Sequence, residues 1–353
     1  MRLFCFGDIG IRGDMPQKSP WPFPFPNSNA EKDTYILFNW ELPSSEQSLK
    51  IPRANGSGYR FVSPPGAAVL VSHWGPTVAA LANNHLMDGG TEGVRNTMKE
   101  LESFGLTYFG GGMTFDAAAR PWIWETEEGR LGVINWVTAE THPDPPDQSG
   151  MGPNLWPGDE EAKAQIARLR QEVDWVVIYL HWSDELFPYP RPIDRQMAER
   201  LVTYGADAVV GNHSHVVRGM ETIQGKPVFY SLGNCFFSPD HERVRGQSHR
   251  LRESIAVELK FSRGKTMTWN VHSFWKNGRF PSLDSRQRAV RQMKKVSRPL
   301  SFSDYGNWYC RTRKSFDRWG YRWHFQIPAL GWRGVLGWVL KKAQSNIEPV
   351  LGR

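Results

Sequence analysis

Four of the ten histidines in this 353-residue chain stand in a pattern that could hold a metal ion. Five short apolar runs each stop at a residue able to bind a cation. LFCFG stops at Asp8, and YILFNW stops at Glu41. VAALAN runs into Asn84 and His85, WVVIYL stops at His181, and DAVVGN runs into His213-Ser214-His215. Imidazole, carboxylate and amide oxygen together suit borderline to hard divalent ions, and Mn, Zn or Fe is expected, as one or two ions. Glu41 could bridge two ions. His85, directly after Asn84, is placed to act on substrate as an acid or an oxyanion donor. The ion would lower the pKa of its water and so supply a nucleophile.

Those residues need a scaffold that gathers them. Runs of four to eight apolar residues bounded by Gly, Asn or Asp read as buried strands. Ligands collect at the carboxyl ends of strands in open α/β sheets. Up to about residue 273, strand-like and helix-like stretches alternate, which makes an α/β fold. Helices are predicted after Ser63-Pro64-Pro65, over 91–104 before Gly105, from an Asp159 cap to about 172, and over 193–204. Strands are predicted at 106–109, 130–137, 174–180, 207–210 and 226–231, with an antiparallel pair at 254–262 and 266–273. Gly110-Gly111-Gly112 reads as a turn. The Pro-, Gly- and Asp-rich stretch 143–158 reads as a long functional loop. The spacing His213-x-His215, taken as the end of a strand, projects both imidazoles to one side.

The charge is unevenly placed. The net charge is +7, yet residues 276–353 carry 17 Lys/Arg against 4 Asp/Glu, which leaves a mildly acidic body. The chain therefore divides into a body, 1–275, and a basic, Trp-rich extension, 276–353, whose segment 281–325 shows little periodicity. A basic tail on an acidic body implies an anionic partner of its own. Residues 329–343, ALGWRGVLGWVLKKA, read either as an interfacial helix on an anionic membrane or as a segment wrapped on the domain through its Trp residues. Basic residues interleaved with Trp and Tyr also fit single-strand stacking, but no recognised nucleic-acid motif is present, so nucleic acid is the weaker reading.

The mean hydropathy is −0.51, and no run of about 18 apolar residues occurs, so no spanning helix is expected. MRLFCFGDIG is too short and too soon polar for a signal peptide. Cys5, Cys235 and Cys310 are widely spaced and odd in number, which argues against a disulfide framework and fits a reducing compartment. A cytoplasmic protein with peripheral membrane contact through 329–343 is the expectation.

Around these residues the chain resembles a known family. Gly7-Asp8, Asn39-Trp40-Glu41, Ser63-Pro64-Pro65, Ala82-Asn83-Asn84-His85 with Asp88 and Gly90, His181-Trp182 with Glu185, Gly211-x-His213-x-His215-Val216, and Tyr230-Ser231-Leu232-Gly233-Asn234 follow one another as in the bacterial capsule-synthesis, or poly-γ-glutamate synthesis, CapA family. That family is similar to calcineurin-like metallophosphoesterases. The resemblance covers roughly residues 2–240 and implies a four-layer αββα sandwich with a two-metal site at one edge. It implies a metal-dependent hydrolase acting on an anionic polymer or a phosphorylated substrate, or an accessory factor of polymer synthesis at the membrane.

The phosphoesterase pattern then assigns Glu41, Asn84, His181 and His213 to one ion and Asp8, Glu41 and His215 to the other. It expects a further histidine two residues after the aspartate, where this chain has Gly10; Asp14 is one substitute. Arg12 is placed to hold an anionic group with its planar fork, or is a surface arginine. Glu185 and Asp88 are candidate partners that orient imidazoles, Asp88 being equally a turn residue. His85, Glu185 and Arg12 are the residues expected to act on substrate.

Overall fold

The computed structural model describes residues 1–12, 33–46, 60–238, 249–276 and 281–320. Asp14 and 329–343 lie outside the described residues. Sixteen strands are present among those described: β1 (Arg2–Gly10), β2 (Thr34–Trp40), β3 (Thr77–Ala80), β4 (Thr107–Phe109), β5 (Gly111–Gly112), β6 (Trp122–Thr126), β7 (Gly129–Val137), β8 (Gly152–Pro153), β9 (Trp175–His181), β10 (Ala208–Asn212), β11 (Met220–Ile223), β12 (Lys226–Phe229), β13 (Asn234–Phe237), β14 (Glu253–Lys260), β15 (Thr268–Lys276) and β16 (Pro281–Leu283). The helices are α1 (Gly90–Ser103), α2 (Phe115–Ala119), α3 (Asp159–Arg170), α4 (Pro192–Tyr204), α5 (Arg288–Ser297) and α6 (Tyr305–Ser315).

One sheet has the order β16-β15-β14-β1-β2-β3-β4, with β13 also pairing β1. The other has the order β11-β12-β10-β9-β7-β6. The apolar runs are long because their strands are buried on both faces. Leu3 and Cys5 of β1 point into the core between the sheets, where they join Val177 and Tyr179 of β9. Phe4 and Phe6 point the other way, into a second core with Val94, Met98 and Leu101 of α1. Val176, Ile178 and Leu180 of β9 face a third core with Ile166 of α3 and Leu201 of α4. Helix, sheet, sheet and helix therefore stack as the αββα sandwich that the resemblance implies.

The helices start and stop for local reasons. Three acidic residues occupy the first turn of α3 and two arginines its last, matching the helix dipole. Pro192 opens α4, and the Asp194 carboxylate in its first turn accepts from the Arg191 backbone N–H at 2.8 Å. Gly105, at φ 73°, ends the path of α1 in the left-handed region.

Several expectations are corrected. Ser63 bridges to Ser44 rather than opening an α-helix, and only a 3-10 turn forms, Ala67–Leu70, behind Gly66 at φ 82°. Gly158 takes the cap position of α3, and Asp159 is its first residue. Gly111–Gly112 is a strand paired with Gly152–Pro153, so the 143–158 stretch is pinned near its middle. The two helices α5 and α6 fall in 281–325, where little periodicity was expected. β15 ends at Lys276, and α5 beyond it packs on β14 and β15. Among the described residues, no helix is long and apolar enough to cross a membrane.

Candidate metal centre

The first four strands run parallel in one sheet, and β7, β9, β10 and β12 run parallel in the other. Their carboxyl ends meet at one edge. Asp8 sits near the end of β1, flanked in register by Asn39 of β2 and Asn234 of β13. His181 ends β9, and Asn212, opposite it, ends β10. Asp8, Glu41, Asn84, His181, His213 and His215 are all buried.

Two clusters form. In the first, ligand atoms of Asp8, Glu41 and His215 lie within 4.8 Å of one another. His215 Nδ1 is 2.8 Å from Asn234 Oδ1. An Nδ1–H donated there leaves the Nε2 lone pair toward Glu41 Oε1, 3.6 Å away. In the second cluster, His181 Nε2 lies 2.8 Å from Asn84 Oδ1 and 3.0 Å from His213 Nδ1. Asp8 joins the two. One of its oxygens is 3.9 Å from His181 Nδ1, and the other accepts from the His213 backbone N–H at 3.1 Å. The donor set of carboxylates, imidazoles and an amide oxygen fits one or two borderline-to-hard divalent ions. Burial, and then the neighbouring imidazoles of His213, His215 and His85, push the His181 pKa well down, so its ring stays neutral as a ligand must be.

The G-x-H-x-H geometry differs from expectation. β10 ends at Asn212, and His213 and His215 have φ of 88° and 58°. Left-handed backbone, rather than strand alternation, aims the two rings, whose centroids are 6.1 Å apart. Two non-glycine residues held there mark a locally strained turn, of the kind found at functional sites.

Several residues that support the site escaped the sequence reading. Asn39 Nδ2 donates to Asp8 Oδ1 at 2.8 Å, and its Oδ1 accepts from Asn83 Nδ2 at 3.1 Å. Asn135 accepts from Ala82 N at 2.7 Å and donates to Tyr179 O at 2.9 Å, so it ties the segment before Asn84 to the second sheet. The Tyr179 hydroxyl donates to the Phe6 carbonyl across the sandwich, where the β1–β2 register slips between Cys5 and Asp8. Asn234, the last residue of the Tyr230–Asn234 motif, faces His215. Asn39, Asn83 and Asn234 stand inside the quoted motifs and Tyr179 inside an apolar run, but nothing local announced their roles, and Asn135 carried no signal.

Of the residues expected to meet substrate, His85 and Glu185 lie against the first cluster and Arg12 stands over the Phe61 ring. His85 Nε2 is 3.7 Å from Glu41 Oε1, and its Nδ1 is 2.6 Å from Asp88 Oδ2. Asp88 lies in the 3-10 turn Leu86–Gly89 and also accepts from Phe61 N at 2.8 Å, so it is a turn residue and a partner of His85 at once. The Arg12 guanidinium lies 4.3 Å from the centroid of the Phe61 ring, and that ring is 5.5 Å from His85. Glu185 Oε1 comes within 4.0 Å of His215 Nε2, so it faces the first cluster directly. Cys5 and Cys235 are buried and unbonded, and Cys310 is exposed.

A buried carboxylate–imidazole centre between two parallel sheet edges defines a four-layer α/β protein with a candidate metal site. The chain belongs to the bacterial capsule synthesis protein PGA_cap family, whose profile matches residues 2–239. It is 33% identical over 178 residues to the PGA biosynthesis protein CapA of Bacillus subtilis, covering 48% of this chain and 44% of that one. It is 26% identical over 220 residues to the capsule biosynthesis protein CapA of Bacillus anthracis, covering 60% and 52%. The matched region thus spans about half the length of each relative. A putative 5'-nucleotidase structure from Staphylococcus aureus overlaps with a TM-score of 0.43 at 12% identity, over 84% of this chain and 58% of that one. A likeness at that level adds nothing to the fold, which rests on the strand order and packed faces described above.

Proposed function

We propose that this chain is a metal-dependent hydrolase in capsule or poly-γ-glutamate-type polymer biosynthesis. Its substrate class is an anionic polymer or a phosphorylated compound, cleaved at an amide or phosphoester bond. The observation that carries the reading is the buried Asp8–Glu41–His215 cluster, with ligand atoms within 4.8 Å of one another. The names of the relatives supply the biological setting.

Asp8, Glu41 and His215 would hold one ion, and Asn84, His181 and His213 a second beside it. When bound, a divalent ion supplies Lewis-acid polarisation of the scissile group's oxygen. His85, oriented by Asp88, delivers a proton from Nε2 to the leaving group. Arg12 holds an anionic group of the substrate with its planar fork. The Phe61 ring packs beside His85, with centroids 5.5 Å apart.

One observation favours a second reading, an accessory factor that binds polymer or a partner synthase at the membrane without turnover. A Cβ at Gly10 would meet the Phe237 ring at 2.4 Å, so the histidine of the phosphoesterase pattern has no room. Peripheral contact through 329–343 belongs to this reading.

The test is hydrolysis of bis(p-nitrophenyl) phosphate and of a γ-glutamyl p-nitroanilide by the full chain with Mn²⁺, Zn²⁺ or Fe²⁺. Turnover that disappears in Asp8→Asn supports the hydrolase. A metal-loaded chain inert on both substrates, yet retaining polyglutamate, supports the accessory factor.

A further inference from the structure

Resting on the metal-centre reading above, we infer that Glu185 is a ligand of the Asp8–Glu41–His215 cation site, supplying the group that position 10 cannot, and that helix α6 holds it there.

Position 10 is closed by packing. Three ring atoms of Phe237 lie 2.4–2.9 Å from where a Gly10 Cβ would stand. The same ring packs edge-on against His215, with centroids 5.0 Å apart. Position 10 therefore adds no ligand to the one that β1 supplies through Asp8, and a fourth protein ligand would come from another segment.

Glu185 stands beside the Asp8–Glu41–His215 set rather than within it, and its 35%-exposed side chain joins the set by turning inward. Its Oε1 lies 4.0 Å from His215 Nε2, and Glu41 Oε1 lies 3.6 Å from the same nitrogen. Two ligands of one first-row ion, each about 2.1 Å from it, stand about 3–4 Å apart. Three carboxylates and one imidazole make a harder donor set than the two-histidine alternative, which suits Mn²⁺.

The turn that carries Glu185 is fixed on both sides. Ser183 and Leu186 have φ of 71° and 61°. The Leu186 N–H donates to Ser214 O, between the two site histidines, at 2.8 Å. Arg218, wholly buried, donates to Asp184 O at 2.6 Å and to Phe187 O at 2.9 Å. From α6, Arg313 pairs with the Asp184 carboxylate and lies 5.1 Å from the centroid of the Phe187 ring. Tyr309 and Phe316 pack on that same ring, with centroids 5.4 and 4.9 Å away. Glu185 therefore sits between two residues, Asp184 and Phe187, gripped by α6. That helix begins at Tyr305, beyond the family-matched region. An isolated exposed ion pair would contribute little, but here the pair acts with a packed aromatic cluster on a turn already strained.

The test is Mn²⁺ titration of the full chain, with free ion followed by electron paramagnetic resonance, for wild type, Asp8→Asn, Glu185→Gln and Arg313→Ala. Amide exchange over 183–187 is measured beside it, and thermal melting without metal confirms that each variant folds. Glu185→Gln keeps the shape of the side chain and is expected to weaken Mn²⁺ about 100-fold, while Arg313→Ala weakens it about tenfold and speeds exchange over the turn. Wild-type affinity in Glu185→Gln beside a lost site in Asp8→Asn overturns the ligand assignment alone and leaves the metal-centre reading standing. Unchanged exchange and affinity in Arg313→Ala overturn the role of α6. No Mn²⁺ bound by the wild type overturns this inference and the metal centre together.

Discussion

His85 and Asp88 form a closed pair, 2.6 Å between Nδ1 and Oδ2, with the opposite ring nitrogen 3.7 Å from Glu41 Oε1. A carboxylate behind an imidazole fixes its ring direction and stabilises the imidazolium, the form that can donate a proton from Nε2. Asp88 is fully buried and is itself held by the Phe61 N–H.

If His85 delivers the proton, His85→Asn lowers kcat by about 10²–10⁴-fold and leaves metal content unchanged. Asp88→Asn lowers kcat less, because the ring survives without its partner. Steady-state kinetics alongside elemental analysis check both. Loss of metal from His85→Asn would make His85 a ligand instead.

Gly10 is expected to tolerate no side chain while Phe237 stays in place. Gly10→Ala should destabilise the fold by about 1–3 kcal/mol, the ordinary cost of overpacking a filled core. Pairing Gly10→His with Phe237→Ala should recover part of that loss, because the space then exists. Denaturant unfolding of the two single variants and the double variant measures the coupling. Additive losses would show that the ring is not the obstacle.

Removing the Tyr179 hydroxyl should loosen the site without touching a ligand. Its partner is the Phe6 carbonyl, at the register slip just before Asp8. Tyr179→Phe strands that buried carbonyl and is expected to cost about 1–3 kcal/mol. Metal affinity falls with it if the slip sets the direction of Asp8. Chemical denaturation and metal titration of the one variant read both effects.

Glu253 should make the fold less stable as pH rises. Burial lifts its carboxyl from 4.5 to about 7, against the pull of Arg250 and Arg288. Between those values the folded state holds the proton and the unfolded chain releases it, so stability falls from pH 4.5 to 7 and stays low above. Glu253→Gln removes that penalty. It should melt above wild type at pH 8 and with it at pH 4. A variant that melts lower at pH 8 would show that the charged form is stabilised instead.

The strand ends were legible because burial on both faces writes itself into sequence as unbroken apolar runs, and Asp8, Glu41, Asn84, His181 and His213 all close such runs. What supports them was not legible. Asn39 reaches Asp8 and Asn234 reaches His215 through lateral register between strands far apart in sequence. Phe237 blocks Gly10 across the β1–β13 pair, a steric fact that no local pattern carries. His213 and His215 were assigned a strand's alternation because the apolar run before them looked continuous. The turn's left-handed backbone is set by packing around it, and no glycine announces it. Helix α5 did carry a signal, Ala289, Met293 and Val296 at helical spacing, hidden among many basic residues. α6 buries only Tyr305 and Tyr309, too few for a period to show.

The central claim is that Asp8, Glu41 and His215 hold a divalent cation. The most direct measurement is metal content per chain by elemental analysis, on protein purified without added metal and after soaking in Mn²⁺ and Zn²⁺, beside a His213→Ala, His215→Ala control. One or two equivalents in the wild type, lost in the control, are predicted. No metal in either protein after soaking, with both still folded, would contradict the account.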